Sequence, residues 1–203
     1  MGLFEFTLLS ITSLIAVIEP ASNVAIFVSL TEDTDLKKQR RIVGKSMRIS
    51  FLVLAFFAIA GSFFFSLFNI TVAAFRIAGG LLLVVVALKM LNPRKDEYSQ
   101  TELEDVSIVP LAFPLTAGPG SIATVMLLVS QAVSIVEVLA VFLGIFVGIL
   151  VQYIGMRYAS RISKFAGKEG LRVVTRLMSI IVLAIAVQFV INGIAGAIPQ
   201  IIP

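Results

Sequence analysis

Polar and charged residues divide this chain into six long apolar stretches, at 5–30, 48–68, 71–91, 107–130, 135–156 and 177–198. Each has about the 20 residues that a helix needs to cross a hydrocarbon core of about 30 Å. The pattern predicts an all-α polytopic membrane protein with six transmembrane helices. The first stretch opens with Glu5 rather than a basic cluster and is longer than the apolar core of a secretion signal, so it is read as a retained helix. The polar segments at 31–48, 92–105 and 157–176 are too short to fold separately, which leaves one membrane domain over 1–203.

Composition sharpens the picture mainly by exclusion. Of 203 residues, 59% are hydrophobic, well above a soluble domain. Cys and His are both absent, which removes disulfides, thiol and imidazole catalysis and the usual zinc and haem ligand sets, and no cofactor is expected. The formal charge is only +4, so a nucleic-acid surface is not expected either. The position of the charges says more. Six Lys and Arg fall between Lys37 and Arg48, three more are Lys89, Arg94 and Lys95, and six lie between Arg157 and Arg176, leaving Arg76 alone. Six crossings put these segments on one side, which the positive-inside rule makes cytoplasmic. Both termini are then expected outside, with the short connections at 69–70 and 131–134, in a cell membrane. Segment 92–105, with five acids and no apolar period, reads as a flexible linker between repeat one (1–91) and repeat two (106–203). Segment 31–48 reads as a solvated helix entrance feeding the second span.

The two halves echo each other at an offset of 99 residues. Pro20 falls on Pro119, and Ala87-Leu88-Lys89-Met90 on Ala186-Val187-Gln188-Phe189. Three spans per repeat is an odd number, so successive copies enter the membrane from opposite sides, as two inverted three-helix repeats.

The echo includes the helix breakers. Span one holds Ile18-Glu19-Pro20-Ala21-Ser22-Asn23, and span four holds Pro114-Leu115-Thr116-Ala117-Gly118-Pro119-Gly120-Ser121. Proline removes a backbone donor and clashes with the preceding turn, while glycine lets another backbone or a ligand come close. A single such kink commonly only shapes packing. Two matched ones, at a depth where freed backbone groups need protein or a polar cavity around them, point to a binding site between broken first and fourth helices. Half-helices starting near Ala21 and Gly120 would aim their amide ends at a shared point suited to a carboxylate.

Glu19 adjoins the first break. A charged residue at mid-membrane costs about 2.5 to 3.5 kcal/mol even on insertion scales, so this carboxyl is expected to be neutral much of the time. It could be held by Ser22, Asn23 or a freed carbonyl, exchange a coupling proton, or receive a substrate ammonium. Gln188 and Asn192, four apart, and Ser121 and Thr124, three apart, share helix faces and are assigned to a cavity lining, although interhelical hydrogen bonds would explain them as well. Gly144, Gly148, Gln152 and Gly155 form a stripe suited to close helix packing. Lys89 can snorkel to the interface, and Arg76 could pair with Glu137. The spans hold no Asp pair and no HExxH motif, so an enzyme is not expected.

Several of these residues resemble the MarC family of integral membrane proteins, with which the SnatA small neutral amino acid transporters are grouped. The resemblance rests on the run from Val109-Pro110-Leu111 through Pro114-Leu115-Thr116-Ala117-Gly118-Pro119-Gly120, on Leu171 to Arg176 leading into Leu177-Met178, on Gln188-Phe189-Val190-Ile191-Asn192-Gly193, and on Arg76-Ile77-Ala78-Gly79-Gly80. It implies uptake or exchange of glycine and alanine, driven by protons, with sodium as the alternative ion. Carried over by position, it places the site at Glu19, Pro20, Ala21, Ser22 and Asn23 with Gly118, Pro119, Gly120 and Ser121, next to Thr116 and Ala117. Members often carry Asp or Asn before the first proline, so Glu19 is a departure. The rival expectations are an exporter of another small solute and a membrane regulator or scaffold that transports nothing.

Overall fold

The computed structural model describes residues 2–31, 34–91 and 107–201, and every regular element among them is helical. Helix α1 (Leu3–Ile18) is followed at once by α2 (Pro20–Leu30), then α3 (Leu36–Leu67) and α4 (Val72–Leu91). A π-helical segment (Leu111–Thr116) precedes α5 (Pro119–Gln131), and the helical segment α6 (Ile135–Ile201) ends the chain. The expected linker at 92–105 lies outside the described residues, as does the side chain of Lys89.

Four spans among the described residues are long and apolar enough to cross a membrane: Leu3–Leu30, Leu36–Leu67, Ile135–Ala159 and Ser179–Ile198. Helix α4 has 20 residues, Val72–Leu91, which is about 30 Å at 1.5 Å per residue. Span four is divided, so its unbroken helix Pro119–Gln131 reaches only about 20 Å. The second span also begins earlier than its apolar stretch. Asp35 caps α3 by accepting the Lys38 amide at 2.8 Å, and Lys, Gln and Arg are good helix formers, so the basic turns and the apolar span are one helix.

Apolar residues cover the outside as well as the core. Ile59 is 78% exposed and Phe63 69%, on the face of α3 opposite to buried Leu54, Ala58 and Phe65. A helix apolar all round belongs in lipid. The connections from α3 to α4 and from α5 to α6 are tight. Asn69, at φ 52°, turns α3 into α4, and Thr71 caps α4 by accepting the Ala74 amide. Before α6, the Glu137 carboxylate accepts the Val133 amide at 2.8 Å and Ser134 accepts the Glu137 amide. Glu137 therefore serves its own helix, and no ion pair with Arg76 exists among the described residues.

The two spans of α6 lie side by side rather than end to end. Gly148 packs on Ile18, whose neighbour Val17 packs on Gly120, and Gly118 lies beside Phe189. A straight helix would hold residues 148 and 189 about 60 Å apart. The glycine stripe works as expected: a Cβ on Gly144 would sit 3.0 Å from the Ser10 carbonyl oxygen, and one on Gly155 2.8 Å from Val24. These glycines let the first span of α6 lie directly on α1 and α2.

Candidate functional site

The first break is one residue wide. Pro20 has no amide hydrogen, so the hydrogen-bond ladder of α1 cannot continue through it, and its fixed φ suits the first position of a new helix. Glu19 takes up the change of direction in the left-handed region, φ 51° and ψ 61°, which costs a side-chain-bearing residue about 1 to 2 kcal/mol. Its amide still closes α1 on the Ile15 carbonyl, and its carbonyl starts α2 by accepting the Asn23 amide at 3.2 Å. Asn23 is buried, and its side chain donates to the Ile18 carbonyl at 2.7 Å, occupying an acceptor that the break releases. Asn23 is thus committed to backbone. The Glu19 side chain is exposed at the break and makes no hydrogen bond among the described residues, to Ser22, Asn23 or a carbonyl. Ala21 is exposed as well, and Pro20 and Ser22 are half-buried.

The second break is a shaped platform. Pro110 and Pro114 lack donors, and the chain bonds five residues back instead of four: Phe113 to Ile108, Leu115 to Pro110 and Ala117 to Ala112, at 2.9, 3.1 and 2.8 Å. Phe113 leaves the helical region altogether at φ −134° and ψ 131°. Thr116 donates to the Leu111 carbonyl at 2.7 Å, and Ser121 donates to the Thr116 carbonyl at 2.9 Å. Gly118 then runs extended, and α5 restarts on Pro119. Thr116, Ala117, Gly118, Pro119 and Ser121 are all buried, and Gly120 is half-buried.

Close approach dictates the glycines. A Cβ on Gly118 would run into the Pro114 carbonyl, so no other residue fits that backbone. A Cβ on Gly120 would meet Val17 Cγ1 at 3.2 Å, so this glycine faces α1 two residues before the first break rather than open space. Gly79 and Gly80, which carried only the family resemblance in the sequence, build the third wall. A Cβ on Gly79 would lie 2.7 Å from Pro119 Cγ, and one on Gly80 2.7 Å from the Ala186 carbonyl oxygen. A paired glycine between helices was the available signal. Thr124 is half-buried one turn beyond Ser121.

The structure therefore brings the two breaks together through the Val17–Gly120 contact, with α4 and Phe189 behind the second. It does not bring Gln188 and Asn192 to them. Those side chains are exposed and bond to each other at 2.8 Å. Buried Val182, Ala186 and Gly193 form the inward face of the last span, and they turn Gln188 and Asn192 away from it. The reading of this pair as cavity lining is corrected accordingly.

No metal-binding cluster of acids exists among the described residues. Two helices start at the breaks, at Pro20 and Pro119, and one exposed carboxyl, Glu19, lies beside the first; such N-termini favour a negative group.

Comparison with known proteins agrees over nearly the whole length. The model of a family described as MarC family integral membrane protein matches residues 4–198. The UPF0056 membrane protein YvbG of Bacillus subtilis is 36% identical, covering 97% of this chain and 98% of its own. The UPF0056 membrane protein MJ1677 of Methanocaldococcus jannaschii is 32% identical over 96% and 98%, and MJ0972 of the same organism is 36% identical over 97% and 90%. No solved structure matches the chain. A divided first helix, a π-helical turn leading into a Gly-Pro-Gly restart, and this end-to-end similarity converge: the chain belongs to the MarC family of integral membrane proteins.

Proposed function

We propose that this protein is a secondary active transporter of small neutral amino acids, glycine and alanine, driven by the proton gradient. In this reading six helices form two inverted three-helix repeats in the cell membrane, with the basic segments cytoplasmic and both termini outside. The observation that carries it is the matched pair of restarts: Pro20 opens α2 and Pro119 opens α5, and Val17 beside the one packs on Gly120 beside the other. Amides in the first turns of α2 and α5 hold the substrate carboxylate. Glu19, exposed and without a hydrogen-bond partner among the described residues, receives the ammonium or carries the coupling proton. One repeat rocks against the other to open the site to each side in turn. Catalysis has no part in this account.

Uptake of labelled glycine by the purified protein in proteoliposomes tests it, with proton and sodium gradients imposed separately. Accumulation driven by the proton gradient and competed by alanine but not leucine is expected. Sodium-driven accumulation would replace the coupling ion, and outward movement alone would favour the exporter. A protein that moves neither amino acid under either gradient, or in exchange, would leave the regulator or scaffold. Orientation has its own check, because the chain has no cysteine: Cys at Asn69 or Ser134 should react with an impermeant maleimide from outside.

A further inference from the structure

Gln152 has no exposed surface, and neither atom of its side-chain amide has a hydrogen-bond partner among the described residues. Among them the hydroxyl of Ser46, also fully buried, accepts and donates nothing. Buried polar groups are almost always paired, because an orphaned amide loses its water and gains nothing in return. The glycine stripe explains how the helices come close, but it does not explain a glutamine among the glycines.

Helix register puts both side chains at the level of the first break. Gly148 packs on Ile18 and Gly155 on Val24, so Gln152 lies between them, level with the stretch from Glu19 to Asn23. The first span of α6 runs parallel to α1 and α2, since Gly144, Gly148 and Gly155 meet Ser10, Ile18 and Val24 in order. The short connection from Leu30 to Leu36, tied by Gln39 to the carbonyls of Thr31 and Thr34, turns α3 antiparallel to both. Phe27, Gln39, Val43 and Met156 line one small cavity. One turn deeper from Met156 is Gln152, and one turn deeper from Val43 is Ser46. One further turn along α3, Ser50 comes within 3.5 Å of the Ala112 carbonyl oxygen in the π-helical segment. Ser46 and Ser50 thus follow one another along α3 toward the π-helical segment, with Gln152 at a matching level on α6.

We propose that Gln152, with Ser46, forms the part of the substrate site that reads both ends of a zwitterion. The amide nitrogen donates to the carboxylate, the amide oxygen accepts from the ammonium, and the Ser46 hydroxyl serves either. A carboxamide is suited to this because it is neutral and offers a donor and an acceptor on adjacent atoms. This inference rests on the amino-acid reading above. Gln152 is sealed from solvent in this conformation, so a solute meets it only when α2 or α3 moves off the first span of α6.

The test is thermal unfolding and equilibrium binding of glycine, with methylamine and acetate as single-ended probes, on the purified full chain and on Gln152→Leu and Ser46→Ala. The parent should bind glycine and melt higher with it, and bind each single-ended probe more weakly. Gln152→Leu, which removes the orphaned amide, should melt higher than the parent without glycine, yet bind glycine about tenfold or more weakly. Ser46→Ala should lose about threefold. Glycine binding by Gln152→Leu equal to the parent's would overturn this inference and leave the transport reading standing. A lower melting temperature for Gln152→Leu without glycine would overturn it too, since the protein itself would then be satisfying the amide. A parent that binds neither glycine nor alanine would overturn both.

Discussion

The two helix breaks share a position in their halves of the chain and a proline at each restart, but they are built on opposite principles. The first turns on one left-handed residue and leaves its carboxyl exposed, with one side chain, Asn23, tying the ends together. The second spreads the interruption over Leu111 to Gly118, with five-back backbone bonds, two hydroxyls donating to carbonyls and no charge. One is a sharp turn beside an exposed carboxyl, and the other a packed wall. In the proposed transporter the wall would hold the substrate carboxylate and the carboxyl of Glu19 would meet the ammonium or the coupling proton. Asn23 and Ser121 do the same work in the two breaks, each reaching a carbonyl five residues back, so the breaks differ in backbone shape more than in capping chemistry.

The contrast can be broken most forcefully at the wall. Gly118→Ala drives a methyl into the Pro114 carbonyl and should cost about 3 kcal/mol or more, whereas Gly120→Ala meets only a movable Val17 methyl and should cost about 1 kcal/mol. Denaturant unfolding in detergent separates the two, and equal losses would mean that the second break is not rigid. Next in size is the tie across the first break. Asn23→Ala leaves the Ile18 carbonyl without its donor and should destabilise by about 1 to 3 kcal/mol, with Ser121→Ala costing about 1 kcal/mol, since the Asn23 bond is the sole side-chain link across its break among the described residues. The smallest effect belongs to Gln188→Leu and Asn192→Leu on the outward face, where glycine uptake should stay within about twofold of the parent because neither side chain reaches the site. A large loss of uptake in either variant would return that pair to the site.

Much of this was legible in the chain. Proline at 20 and the Gly-Pro-Gly at 118–120 located both restarts within a residue, because a missing donor and a missing Cβ act locally and need no knowledge of neighbours. What stayed hidden depends on the partner surface. The spacing of Gln188 and Asn192 assigns them a common face but not its direction, which Ala186 and Gly193 decide by packing on Gly80 and Ile77. The role of Gly79 is invisible until Pro119 is placed against it. The division of span four has a similar origin, since hydropathy measures apolar length and not the continuity of the helix carrying it. Gln152 was absorbed into a packing stripe because its glycine neighbours explained that stripe well; only its unmatched amide distinguishes it.

The central claim is that Glu19 is the titratable half of a transport site whose other half is the packed restart at Pro119. Glu19→Gln keeps the shape of an exposed side chain without a hydrogen-bond partner among the described residues, so it should leave the melting temperature unchanged. The direct measurement is glycine accumulation in proteoliposomes under an imposed proton gradient, set beside glycine exchange with no gradient, for the parent and Glu19→Gln. The account predicts that exchange survives while gradient-driven accumulation falls by about tenfold or more, because the variant binds substrate but cannot carry the proton. Accumulation by Glu19→Gln equal to that of the parent would contradict it.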